Sequence, residues 1–348
     1  MALASTSLRV GEIDDARFLE LARGAGHPVP VEQAPAWDAF DAAVAGRDHV
    51  GRFVVETDDA TPVAVISLTR FDVRGFPYLW AKHGPILLVE ETPDNELAVR
   101  EAIVEHVRLA WPEVVFVRLH ARHPAPALHE LLQSVTYDHT VLIDLTRPEE
   151  EILGGMSKRG RYRMRKVFQD EGMRVKEEPI RAAEEFEELY AIYRETAARD
   201  GFGIYPPEVY LDMLASLPGL ARMFVARRYD AGEDGSRSPG RAVSWVLAVA
   251  YEDGGTDYYA AGNAEARETN AALALKWAIF TTLKAEGVRQ YDLMGVGSDR
   301  APQLMGVREF KQQFGDIVEV PGAWDVPLKP WRYRALTVAL KVKRALRR

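Results

Sequence analysis

The chain contains no cysteine. That excludes disulfides, a cysteine nucleophile and thiolate metal sites. Its eight histidines form no His-x-x-x-His pair of the kind that places two ligands on one helix face. His106, His120 and His123 accordingly read as structural. No Gly-x-Ser-x-Gly elbow is present, and no stretch reaches the ~18 consecutive apolar residues of a membrane span. The amino terminus, Met1-Ala-Leu-Ala-Ser-Thr, lacks the basic start and apolar run of a secretory signal, which points to a cytoplasmic protein. Neither a metal nor a covalent hydrolytic mechanism is suggested.

Positive charge is also in deficit. The net charge is −8, so the molecule as a whole is no general nucleic-acid binder. Its distribution is uneven, however. From Lys329 to Arg348 there are eight basic residues and no acidic one, and Ser157–Lys166 holds six cations in ten residues. Two basic surfaces on an acidic body suggest a specific anionic partner at each. The tail from Trp331 to Arg348 has the spacing of an amphipathic basic helix, with Leu336, Ala339, Leu340 and Lys343 recurring along it.

What is present is a repeated pattern. A length of 348 residues suits two domains, and 47% hydrophobic with 28% charged residues suits a packed core. In the first half, strand Val63–Leu68 leads to a strand ending in Tyr78–Pro85, then a helix over Asn95–Ala110 and a strand over Val114–Leu119. In the second, Ala242–Val249 and Asp257–Gly262 are strands around an Asp253-Gly-Gly turn. A helix over Asn270–Glu286 ends before Gly287, and Tyr291–Gly295 is the next strand. This repeat predicts two related α/β units, with helical segments at 149–171 and 182–199 between them and a Gly- and Ser-rich surface loop at 231–241. Tyr258 and Tyr259 alternate along a strand, so one faces the core and one a cleft.

Five segments in order resemble the FemABX family of non-ribosomal peptidyltransferases: Gln33-Ala-Pro-Ala-Trp37; Lys82-His-Gly-Pro85; Thr140–Leu145 followed by Met156 and the basic run; Tyr193–Phe202; and Tyr291-Asp-Leu-Met-Gly295 with Gly306-x-x-x-Phe310-Lys-Gln-Gln-Phe-Gly315. His83 stands where the family usually has Arg, and Phe40 and Asp41 stand where some members place a Lys after the Trp. The coiled-coil arm of some members is absent, so the compact form is the comparison.

The resemblance implies two tandem GNAT-like domains, each a mixed, mainly antiparallel sheet with flanking helices, around a shared cleft. It places the first at 1–145, completed by 317–348, and the second at 146–316. It implies transfer of an amino acid from aminoacyl-tRNA to the stem-peptide amine of a UDP-linked or lipid-linked peptidoglycan precursor. No cofactor is called for beyond aminoacyl-tRNA as co-substrate, and a monomer is expected. Phe310 and Lys311 would act at the tRNA 3′ end, the ring stacking on a base and the ammonium meeting phosphate or oxyanion. His83, Gly84, Arg199 and Tyr259 would touch the precursor. Arg161, Arg165 and Lys166 would hold tRNA phosphates, spread around their helix rather than along one stripe. The basic tail would make weak contact with an anionic inner-membrane surface or with tRNA.

Three other functions compete. An acetyltransferase would need a Gly-rich pyrophosphate loop before the second long helix, where Arg267-Glu-Thr-Asn270-Ala-Ala272 stands instead. A tRNA-dependent transferase acting on protein amino termini shares the donor and differs in the acceptor. A non-enzymatic tRNA-binding or membrane-surface module is the third.

Overall fold

A computed structural model of the chain describes residues 3, 6–73, 75–131, 137–229 and 240–345. The loop expected at 231–241 lies, apart from its last two residues, outside the described residues. So do the last three residues of the tail. The chain forms two compact units, one of residues 1–139, 297–304 and 319–348, the other of 140–296 and 305–318.

The first unit is a sheet of Leu8–Ile13 (β1), Arg47–Thr57 (β2), Pro62–Val73 (β3), Phe76–Trp80 (β4), Phe116–Ala121 (β5) and Gly322–Pro327 (β12). Its order is β1-β2-β3-β4-β5-β12, with the short strand Ile86–Leu87 also paired to β3. All neighbours on that path are antiparallel except β4 and β5. A parallel pair needs a crossover, and the helix Pro93–Ala110 supplies it. Thr92 caps this helix by accepting from the Asn95 amide, and Pro93 follows at its first position. The helix buries Val99, Ile103 and Val107 at helical spacing against Ile66, Leu79 and Val117. Tyr78, Trp80 and Phe116 point to the opposite face by strand alternation, where Tyr333 and Leu336 of the helix Pro330–Ala345 cover them.

The second unit repeats this plan. Leu142–Asp144 (β6), Met173–Glu177 (β7), Ala221–Arg228 (β8), Arg241–Tyr251 (β9), Gly254–Gly262 (β10) and Gln290–Asp292 (β11) form a sheet of order β6-β11-β10-β9-β8-β7. Again one pair is parallel, β10 with β11, and a long helix, Ala271–Ala285, joins them. That helix packs Leu275, Ile279 and Leu283 on one sheet face. On the other face Trp245 meets Phe186 and Tyr193 of the helix Ala183–Asp200, its indole N–H donating to the Leu189 carbonyl at 2.7 Å. In each unit an antiparallel strand closes the free edge of the parallel pair: β12 from late in the chain, β6 from the start of its own unit.

The helical stretch expected over 149–171 is two helices, Glu149–Gly155 and Lys158–Phe168. Met156 is extended between them, and the Ser157 hydroxyl starts the second by accepting from the Gly160 amide at 3.1 Å.

Candidate active site

The second unit gathers its ionisable side chains where β10 and β11 run parallel. β10 carries one extra residue there. Leu247 pairs with Tyr259 but Ala248 pairs with Asp257, so Tyr258 is bulged out of register. The strict alternation expected of this strand is thereby corrected: Asp257 and Tyr259 turn to opposite faces, and Tyr258 and Tyr259 are both half-buried. Tyr259 lies edge-on to Tyr210, with ring centres 4.9 Å apart. Asp257 turns under the helix Ala271–Ala285, forms an ion pair with Lys276 and accepts a 2.7 Å hydrogen bond from the Tyr291 hydroxyl. All three are buried. Burial and the adjacent carboxylate push the Tyr291 phenol well above its ordinary range, so it stays a proton donor.

Lys311 stands beside this cluster. Its Nζ donates to the carbonyls of Met294 at 2.9 Å and Gly295 at 3.2 Å. Those carbonyls are aimed by a sharp turn after β11. Met294 takes a left-handed conformation at φ 62°, and its amide donates to Asp292 at 2.7 Å. Asp292 is itself held by the Thr140 hydroxyl. Burial lowers the Lys311 ammonium to about 8. The charge of Asp257 opposes that fall, Lys276 adds to it and Asp292 opposes it. The group thus titrates near neutrality, with two carbonyls fixing its direction and capacity left for one further partner.

Phe310 precedes Lys311 on the same short helix. Its ring is half-buried, packs on the unit's core and lies edge-on to Phe314 at 5.5 Å. Arg199 makes a two-pronged pair with its neighbour Asp200, both contacts at 2.8 Å, and donates to the Gly262 carbonyl at the end of β10 at 3.0 Å. The pairing with Asp200 holds its guanidinium above the ordinary arginine range.

The basic helix Lys158–Phe168 has more order than its sequence suggests. Gly160 and Met164 form its buried face, and a Cβ at Gly160 would come within 2.7 Å of the Gln313 carbonyl. Arg161 is spent on the Gly154 and Met156 carbonyls, capping the preceding helix, and Arg163 donates to Gln313 at 3.2 Å. Lys158, Arg159, Tyr162, Arg165 and Lys166 remain exposed at i, i+1, i+4, i+7 and i+8, with the Lys166 ammonium 5.0 Å from the Tyr162 ring centre. The cations spread around the helix in sequence therefore reduce to one exposed stripe with an aromatic inside it.

In the first unit the Gln33 amide braces the Lys82–Pro85 turn. Its Nε2 donates to the carbonyls of Lys82 at 2.8 Å and Ser67 at 3.2 Å, and its Oε1 accepts from the Ser67 amide at 2.8 Å. A Cβ at Gly84 would lie 2.6 Å from that Oε1, so a larger residue would push the Gln33 amide off these bonds. His83 takes φ 53°, which turns its ring to within 4.6 Å of the His120 ring and its Nε2 to 3.7 Å from Glu32. Lys82 sits over the rings of Trp37 and Trp80 at 5.2 and 5.4 Å, its ammonium pushed down by burial. Among the described residues, Glu32 Oε1, His120 Nε2 and Trp80 Nε1 are buried without a hydrogen-bond partner. Glu32 Oε1 still lies 3.9 Å from the Lys82 ammonium, so its charge is compensated without a hydrogen bond. No three His, Asp or Glu side chains among the described residues are placed to hold a metal ion.

Residues 155–312 match the family model described as an acetyltransferase (GNAT) domain. No curated protein sequence matches the chain. Among solved structures, FemX is similar at 13% identity and TM-score 0.70, covering 94% of this chain and 100% of that one. The chain has the FemX fold. A tandem GNAT protein from the clavulanic acid biosynthesis pathway is similar at 14% identity and TM-score 0.53, over 92% of this chain and 98% of that one. The carboxy-terminal domain of a putative lysylphosphatidylglycerol synthetase from Agrobacterium fabrum is similar at 14% identity and TM-score 0.52, over 93% and 97%. The resemblance to the FemABX family and the two tandem GNAT-like domains are thus shown at the level of fold. The matched domain with this fold supports an acyl-transfer enzyme.

Lys311 stands in a segment that resembles a known site, whereas Asp257 and Lys276 do not. A signal existed. Lys276 is the one charged residue in Ala271–Leu283, and a lone cation in an apolar helix needs a buried partner.

Proposed function

We propose that this protein transfers an amino acid from aminoacyl-tRNA to the stem-peptide amine of a peptidoglycan precursor, in the cytoplasm where charged tRNA is available. The observation that carries this reading is Lys311, a half-buried lysine lowered to about 8 and aimed by two backbone carbonyls. In the reaction the amine nitrogen bonds to the ester carbonyl carbon, the acyl C–O bond breaks, and the proton lost by the amine leaves with the tRNA 3′ oxygen. The ester is already activated, so the protein has to align the partners and stabilise the oxyanion. Below pH 8 Lys311 is mostly charged, and its remaining N–H suits that oxyanion. The exposed stripe of Lys158, Tyr162, Arg165 and Lys166 suits a phosphate backbone. Tyr259 and Arg199 in the second unit, and His83 on its Gly84 turn in the first, are the residues we assign to the precursor.

A second reading, acetyl transfer from acetyl-CoA, is favoured by one observation. Asn270 adopts φ 59°, the conformation a glycine would supply, and no side chain caps the helix Ala271–Ala285 that follows. Such a helix start suits a pyrophosphate.

Incubating the protein with a mixture of charged tRNAs and both UDP-linked and lipid-linked precursors, then weighing the products, separates the readings. Aminoacylated precursor is the expected product. No transfer from any charged tRNA, with tight acetyl-CoA binding by calorimetry, would replace the first reading by the second.

A further inference from the structure

The helix Pro330–Ala345 has two apolar stripes, and the fold uses one of them. Tyr333, Leu336 and Leu340 face inward on the first sheet. Trp331, Val338 and Val342, at i, i+7 and i+11, share a face and are 74%, 54% and 54% exposed. The other large exposed apolar side chains of the described residues are scattered over several elements. An outward helix face is normally polar, and this one is apolar along its centre.

Its flanks are cationic. Arg334 and Lys341 are exposed along one edge of the stripe. Arg332 lies on the other edge, its guanidinium 5.5 Å from the Phe76 ring centre and donating to the Gly75 carbonyl at 3.1 Å. No acidic residue occurs from Lys329 to the end of the sequence, although the protein as a whole carries −8. Positive charge along both borders of an exposed Trp-Val-Val stripe is the pattern of a helix lying in a membrane interface. The ring and aliphatic groups enter the acyl boundary while lysine and arginine meet anionic headgroups. A nucleic acid would be served by the cations but leaves the aliphatic stripe without a role.

We infer that the outer face of helix Pro330–Ala345 docks on an anionic lipid surface. This stands independently of the acyl group transferred. It is a surface contact, since no helix among the described residues is long and apolar enough to cross a membrane.

Deleting the helix would uncover Tyr78, Trp80 and Phe116, so exposed point variants are the cleaner test. The full chain is sedimented at low salt with vesicles of equal parts phosphatidylglycerol and phosphatidylcholine, and with vesicles of phosphatidylcholine alone. The expected result is binding to the anionic vesicles only, weakened by salt. Arg334→Gln with Lys341→Gln should weaken it about fivefold for each cation removed. Val338→Asp with Val342→Asp should abolish it, with unchanged melting temperatures showing that both pairs fold. Equal binding to neutral vesicles, or no effect of either pair, overturns the inference. So does unaltered vesicle binding accompanied by lost tRNA binding, which would give the face to nucleic acid.

Discussion

Each unit buries one aspartate that joins a cation to a tyrosine hydroxyl, and the two clusters end differently. In the first, Asp325 on β12 takes the Arg118 guanidinium through both oxygens, at 2.7 and 3.1 Å, and the Tyr333 hydroxyl at 3.0 Å. Burial alone would lower Arg118, but Asp325 outweighs it and holds the guanidinium above its ordinary range. That cluster is closed, and it ties β5, β12 and the last helix together. In the second, Asp257 takes Lys276 and Tyr291 in the same way, yet a second lysine, Lys311, stands close enough to feel both charges and titrates near 8. The same three-part unit is therefore a clasp in one fold copy and an electrostatic support for a titratable group in the other.

The helix starts differ in the same sense. Helix Pro93–Ala110 is sealed by Thr92 and Pro93, whereas helix Ala271–Ala285 is entered through a left-handed Asn270 and has no side-chain cap. The GNAT family model matches the second unit's side of the chain, residues 155–312. Among the described helices, then, the first unit's long helix begins with a side-chain cap and the second unit's begins without one.

The sharpest way to break this comparison is to remove each aspartate. Asp325→Ala and Asp257→Ala should each destabilise the protein by about 3–5 kcal/mol, since each leaves a buried cation unpaired. Denaturant unfolding measures both. If the clusters differ as described, a conservative Asp257→Asn variant that still folds should lower the alkaline transition of Lys311 further, by removing its main favourable charge. Asp325→Asn should leave that transition where it is.

Lys311→Ala should slow single-turnover transfer at saturating charged tRNA by roughly 10²–10³-fold, about 2.7–4 kcal/mol of barrier. If saturating tRNA restores the rate, the lysine only binds. The wild-type rate should fall as pH rises through about 8, where the ammonium is lost, and the residual rate of Lys311→Ala should lack that limb. The linked effect on stability has the opposite sign. The folded-state value lies below the unfolded lysine value, so the native state binds fewer protons and gains stability as pH rises from about 8 toward 10.5. A melt that weakens over that interval in wild type relative to Lys311→Ala would refute the assignment.

The smallest effect concerns the helix starts. Thr92→Ala should cost about 1 kcal/mol by loss of the cap. Asn270→Gly should be neutral or slightly stabilising, because glycine takes a positive φ without the side-chain penalty. Paired thermal melts compare them. A marked loss with Asn270→Gly would show that the Asn side chain, and not the backbone, shapes that entrance.

Much of this molecule was legible before folding because its signals are local. The repeated strand–helix–strand order and the amphipathic tail follow from periodicity and turn chemistry within a few residues. The tail's inner stripe and its cationic flanks could be read that way too. What the sequence by itself determined was thus two copies of one α/β plan and a short roll of suspect residues.

The tertiary structure decided which of those suspects are available. Gln33 and Gly84 are matched across 51 residues of chain by a shared volume that no local rule predicts. Arg161 looked like a phosphate ligand until its carbonyl partners folded around it. One inserted residue at Tyr258 sent Asp257 beneath a helix that begins fourteen residues later, and so created the charged support for Lys311. A proton affinity depends on burial and on charges within a few ångströms. Both are properties of chain segments distant in sequence, and only the packed fold brings them together.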